Sequence, residues 1–106
     1  MSGVQRSERQ GTERAEQQQR VELTIRGVVQ GVGYRAFACA VARERGLRGW
    51  VRNNPDGTVT AVAEGPRDDL LAFIEACRRG PRSAEVTGID VTWGPATGLG
   101  EGFVIR

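Results

Sequence analysis

The period of the apolar residues switches repeatedly along this chain, and the order of those switches limits the fold more than any other feature. Val21, Leu23 and Ile25 alternate with the polar Glu22, Thr24 and Arg26. A repeat of two predicts a strand with one buried face. After the Gly-containing segment 27–33, Tyr34, Phe37, Ala38, Val41 and Ala42 follow the i, i+3, i+4, i+7, i+8 spacing of a helix. Gly46 is placed to end that helix in a left-handed conformation. Arg48 to Asn53 reads as a second strand, and Thr58 to Glu64, rich in Val, Thr and Ala, as a third. The turn signal Asn54-Pro55-Asp56-Gly57 joins them into a hairpin. Leu70, Phe73, Ile74 and Cys77 form a second helical stripe. Pro66 suits its first position, Asp68 and Asp69 its positive end, and Arg78 and Arg79 its negative end before Gly80-Pro81 stops it. Ala84 to Trp93 completes a fourth strand, with Gly88 a candidate bulge, and a loop over 94–102 precedes an optional short strand, Phe103 to Ile105.

This order, β-α-β-β-α-β, is the ferredoxin-like arrangement of the α+β class. It predicts an antiparallel sheet of four to five strands with two helices on one face. Right-handed crossovers place both helices there, and the third strand inserts between the first and second. The C-terminal ends of strands one and two then share one edge of the sheet. Loop 27–35 leaves the first strand at that edge, and Asn53 ends the second strand there.

Residues 1–20 are nearly devoid of apolar side chains and are expected to form a disordered tail. The folded part is predicted over 21–106. No apolar run reaches the length of a signal core or a membrane span, so a cytoplasmic chain is expected. In that compartment Cys39 and Cys77 are read as free thiols. Cys77 lies on a helical stripe as a small buried hydrophobe, and Cys39 lies off the main stripe.

Composition decides which chemistry is left. All 15 basic side chains are Arg, and His is absent. That removes His relays, His-ligated metals, Schiff bases and the Walker lysine. Two Cys without a CxxC pair make a poor zinc site, so no metal and no cofactor are expected. The formal net charge of +2 is too small to point to nucleic acid. Arg, amides, hydroxyls and backbone N–H groups suit oxyanions.

The loop Val29-Gln30-Gly31-Val32-Gly33-Tyr34-Arg35 joins a strand to a helix, so its amides can converge on an anion at the helix N-terminus. Arg35 can add a bidentate fork. On loop chemistry alone, a plain strand-helix turn with an exposed Arg fits equally well. Asn53 taken alone fits turn chemistry. Asp56, Asp68 and Asp69 read as turn and helix-start charges, and Trp50 and Trp93 as core or sheet-face residues.

The stretch Gly27-Val28-Val29-Gln30-Gly31-Val32-Gly33-Tyr34-Arg35 resembles the signature of the acylphosphatase family, and Gly49-Trp50-Val51-Arg52-Asn53 resembles its second motif. Asp56-Gly57-Thr58-Val59, Glu64-Gly65, Gly80-Pro81 and Phe103 match further positions. The resemblance spans about residues 21–106. It implies hydrolysis of the carboxyl-phosphate anhydride in a small-molecule acyl phosphate. Gln30, Gly31, Val32, Gly33, Tyr34 and Arg35 would hold the phosphate, and Asn53 would position the attacking water. Tyr34 replaces the family's commoner Phe and needs a partner for its hydroxyl. Arg45 stands at a usually apolar position, and Asn54-Pro55 tightens the turn after Asn53.

Such a reaction needs little proton transfer. A carboxylate leaves without a general acid, its conjugate acid having a pKa near ~4. The transition state is loose, so positioning and charge stabilisation carry the catalysis. A non-catalytic anion- or effector-binding domain on the same fold is the alternative. An RNA-binding sheet is another, opposed by the lack of an aromatic cluster on any strand. A monomer with no membrane or nucleic-acid partner is expected.

Overall fold

The computed structural model describes residues 17–106. The elements run β1 (Gln18–Val28), α1 (Tyr34–Glu44), β2 (Arg48–Asn53), β3 (Val59–Pro66), α2 (Arg67–Arg79), β4 (Glu85–Pro95) and β5 (Phe103–Ile105). The sheet order is β4-β1-β3-β2-β5, with β3 between β1 and β2 as the crossover argument requires. Both helices pack on one face.

Four differences from the sequence reading have physical causes. The first concerns the tail. Gln18, Gln19 and Arg20 belong to β1 and pair with Pro66, Gly65 and Glu64 of β3. They carry no apolar alternation because backbone pairing and an ion pair hold them, Arg20 Nη1 lying 3.0 Å from Glu64 Oε2. The rest of the expected tail, residues 1–16, lies outside the described residues.

The second concerns strand direction. β1 pairs antiparallel with β3 and β4, and β2 antiparallel with β3, but β2 and β5 pair parallel. The sheet is mixed rather than antiparallel. β4 ends beside the start of β1, where Pro95 faces Gln19. The chain then crosses that end of the sheet and restarts beside Gly49, at the start of β2. A crossing from one sheet edge to the other along one end forces β5 to run with β2.

The third concerns Cys39, which is buried at 4% exposure with its Sγ 3.5 Å from the Phe103 carbonyl oxygen. β5 covers the flank of α1 that the helical stripe alone leaves open. The fourth is small: Pro66 stands at the N-cap of α2, one residue before the helix.

Local signals hold elsewhere. Gly46 takes φ 67°, and its N–H and that of Leu47 donate to the carbonyls of Arg43 and Ala42, 3.0 and 2.9 Å away. That is a Schellman ending, with Leu47 buried behind it. It leaves Arg45 exposed after the last turn of α1, where its Nη1 reaches Asp69 Oδ1 at 3.4 Å. The bulge falls beside Gly88: Arg26 pairs with Gly88 and Gly27 with Val86, so Thr87 is the extra residue. The core joins Val21, Leu23, Ile25, Val51, Val59, Ala61 and Phe103 of the sheet to Tyr34, Ala38, Ala42, Leu70, Phe73 and Cys77 of the helices. Phe73 and Phe103 meet edge to face at 5.7 Å.

Candidate active site

β1 and β2 run in the same direction on either side of β3, so loop 29–33 and Asn53 emerge at one end of the sheet. Val29, Gly31, Gly33 and Asn53 line a cleft of about 190 Å³ there, together with Tyr34, Arg35, Ala36 and Ile105.

The loop presents its backbone to this cleft. Gly31 and Gly33 have φ 73° and 77°, both left-handed, and a Cβ on either would meet nothing within 4 Å. Backbone conformation, not space, requires glycine there. Gly33 is the N-cap of α1, which has neither a side-chain cap nor an acidic residue in its first turn. The first amides of α1 therefore have no internal acceptor, and the positive end of its dipole is not neutralised. Buried Val29 anchors one side of the loop, and the Ser83 hydroxyl donates to the Val32 carbonyl at 2.7 Å on the other.

Arg35 sits in that same first turn. A cation at a helix N-terminus is electrostatically unfavourable unless an anion lies between them. Among the described residues no Asp or Glu side chain forms an ion pair with it. Its Nη1 donates to the Arg106 carbonyl at 3.3 Å, which brings the guanidinium to the cleft side of β5.

Asn53 comes from the end of β2. Its Oδ1 is buried and, among the described residues, is the buried side-chain polar atom left without a hydrogen-bond partner. A buried carboxamide oxygen without a donor costs roughly 1–3 kcal/mol, so it is poised to accept a hydrogen bond from something in the cleft. The turn behind it is tightly bonded. Asn54 N–H donates to Thr58 O at 2.8 Å, and Asn54 Nδ2 to the hydroxyls of Thr58 and Thr60 at 2.9 and 2.8 Å. Asp56 Oδ1 accepts from the Thr58 hydroxyl and N–H, which holds its carboxyl below the usual range. The Asn54-Pro55 turn leaves the Asn53 side chain at the cleft.

Of the residues singled out in the sequence, Gly31, Gly33, Tyr34, Arg35 and Asn53 come together at the cleft. Two others do not line it. The Val32 side chain packs against the core, and the Gln30 carboxamide turns to the β2–β3 turn, its Nε2 donating to Asn54 O and Thr58 O at 2.8 and 2.9 Å. Tyr34 finds the partner its hydroxyl needs: it donates to the Cys77 carbonyl at 2.7 Å, and burial raises its pKa, keeping the phenol protonated. Ile105 enters the cleft through β5, and no motif marks it. Trp50 stacks with Arg52 and Arg106 at 5.2 and 4.5 Å, and Trp93 with Arg67 at 4.5 Å.

The acylphosphatase family model matches residues 21–105, every element described above except the first residues of β1. The chain belongs to the acylphosphatase family. An acylphosphatase of Salinibacter ruber is 48% identical over 89 residues, 84% of this chain and 94% of that protein. One of Thermus thermophilus is 49% identical over 84 residues, 79% of this chain and 94% of its relative. The crystal structure of an acylphosphatase from Bacillus subtilis superposes with a TM-score of 0.80 at 39% identity, covering 83% of this chain and 98% of that one. The two-helix, mixed-sheet architecture is thus the acylphosphatase fold, and both expected motifs lie within the matched span.

Proposed function

We propose that this acylphosphatase domain hydrolyses acyl phosphates at the cleft between loop 29–33 and Asn53, with Arg35 and the loop amides binding the phosphate and Asn53 aiming the water. The observation that carries this reading is the pairing of two unmet needs in one cleft: an uncapped cationic helix start, and a buried carboxamide oxygen without a donor. Their chemistries fit one substrate group.

The phosphoryl oxygens accept hydrogen bonds from the first amides of α1 and from the Arg35 guanidinium. Water donates one hydrogen bond to Asn53 Oδ1, which turns an oxygen lone pair toward phosphorus. The water oxygen–phosphorus bond forms as the bond from phosphorus to the acyl oxygen breaks. The bonding pair leaves with the carboxylate, and a phosphate oxygen takes the proton of the water. Negative charge spread over the phosphoryl oxygens meets donors already fixed in place. No step requires His, Lys or a metal. Ile105 lies at the rim of the cleft, where the acyl group would leave the anion site.

The same reading takes the substrate to be a small molecule and the chain to work as a monomer in the cytoplasm, without a nucleic-acid or membrane partner. Phosphate release from acetyl phosphate, with a chelator control, tests the reading. The intact chain should turn over regardless of chelator, and Arg35→Ala should lose about 100-fold or more in kcat/KM. Phosphate binding without hydrolysis, or wild-type turnover by Arg35→Ala, would overturn it.

A further inference from the structure

We infer that Gln30 is a positioning residue for Asn53, joining the anion loop to the turn that aims the water; this rests on the role proposed for Asn53. Gln30 lies on the loop signature, yet its side chain faces away from the cleft. Its Nε2 donates both protons to carbonyls of the β2–β3 turn, Asn54 O at 2.8 Å and Thr58 O at 2.9 Å. Asn54 directly follows Asn53 in the chain. On its other side Asn53 is fixed by register, facing Val59 across the β2–β3 ladder. Gln30 therefore holds the backbone on the free side of Asn53.

Each of these two carbonyls has a second donor. Gly57 N–H reaches Asn54 O at 3.1 Å, and Asn54 N–H reaches Thr58 O at 2.8 Å. Removing the Gln30 amide leaves neither acceptor unsatisfied, so the turn keeps its own shape. What is lost is the registry between turn and loop: the distance from the aimed water to the held phosphate. Among the described residues, Gln30 makes the side-chain hydrogen bonds that run from the anion loop to this turn. A displacement of about 1 Å between reacting groups is enough to slow such a step by orders of magnitude.

The test is a double-mutant cycle on the full chain, reading kcat for acetyl phosphate and the inhibition constant for inorganic phosphate. Gln30→Met keeps length and removes both donors. It should lower kcat about ten-fold while the phosphate inhibition constant stays within about two-fold. In an Asn53→Ala background the same substitution should change kcat by less than about two-fold, because the aimed side chain is already gone. An equal loss in both backgrounds would overturn the inference. So would a phosphate inhibition constant that rises as far as kcat falls, which would assign Gln30 to the phosphate cradle. Gln30→Asn, one methylene too short to bridge, should reproduce the pattern if the Met variant does not fold. Wild-type turnover by Asn53→Ala would refute the role of Asn53 itself. The Asn53 side-chain amide resonances then decide the brace alone: they should shift or broaden in Gln30→Met, and unchanged resonances would refute it.

Discussion

Arg35 and Tyr34 are neighbours in the first turn of α1 and answer opposite demands. Arg35 keeps its charge at the positive end of a helix, where it costs stability unless an anion is bound. Tyr34 turns inward, 1% exposed, and its hydroxyl donates to the Cys77 carbonyl at 2.7 Å. That carbonyl lies in the last turn of α2, where intrahelical donors run out. Tyr34 thus caps the end of one helix from the start of the other. Tyr34→Phe should keep full turnover but destabilise the fold by about 1–2 kcal/mol, because Cys77 O loses its donor in a buried place. Chemical denaturation beside a turnover assay checks both halves; a loss of activity at unchanged stability would contradict this account. At this scale the spacing along a strand and a helix places Arg35 and Asn53 at one end of the sheet, while the roles proposed for them rest on the family resemblance. Spacing did not show the side-chain bonds of Gln30 or the orphaned oxygen of Asn53. Those depend on contacts 24 and 28 residues apart in the chain.

β5 is the element whose position depends most on distant parts of the chain. It has three residues, Phe103–Ile105, yet it covers Cys39, brings Ile105 to the cleft and is followed by the carbonyl that receives Arg35. Glu64 holds the loop that delivers it. Its side chain is buried at 0% exposure at the end of β3, beneath the chain crossing from β4 to β5. Oε2 accepts the Thr97 N–H and hydroxyl at 2.9 and 2.7 Å, and Oε1 accepts the N–H groups of Gly98 and Leu99 at 3.0 and 3.1 Å. Burial alone would raise its pKa, but the bonds from Thr97, Leu99 and Arg20 outweigh that and hold it at about 2, below 4.5. A depressed carboxyl pKa stabilises the folded state above the unfolded value, and the gain is lost as pH falls through the folded one. Glu64→Gln should therefore cost on the order of 3 kcal/mol near neutral pH. The gap to wild type should close between pH 4.5 and about 2. Urea denaturation of both proteins across that window checks the sign; a gap that widens in acid would contradict it. The strands and helices were legible because each carries its own period. The parallel run of β5 was not, since its direction follows from where β4 ends and not from its own residues.

Across the whole molecule, the cleft proposed as the active site is a meeting of three segments on a common end of the sheet: the loop after β1, the end of β2 and the end of β5. The βαββαβ order places the first two together, so their shared edge is legible in the sequence; the roles of their residues rest on the two family motifs. The third comes only with the edge crossing under which Glu64 sits. Among the described residues no three His, Cys, Asp or Glu side chains come together as metal donors. The proposed hydrolysis uses fixed donors alone, so its rate should depend on geometry at the cleft rather than on a titrating relay. The central claim is a division of labour, with phosphate held by Arg35 and the α1 amides and water aimed by Asn53. It is tested most directly by comparing kcat for acetyl phosphate with the inhibition constant for inorganic phosphate in Asn53→Ala. With Asn53 removed, kcat should fall by about 100-fold or more while the inhibition constant stays within about two-fold of wild type. Turnover close to wild type, or phosphate binding weakened as much as turnover, would contradict it.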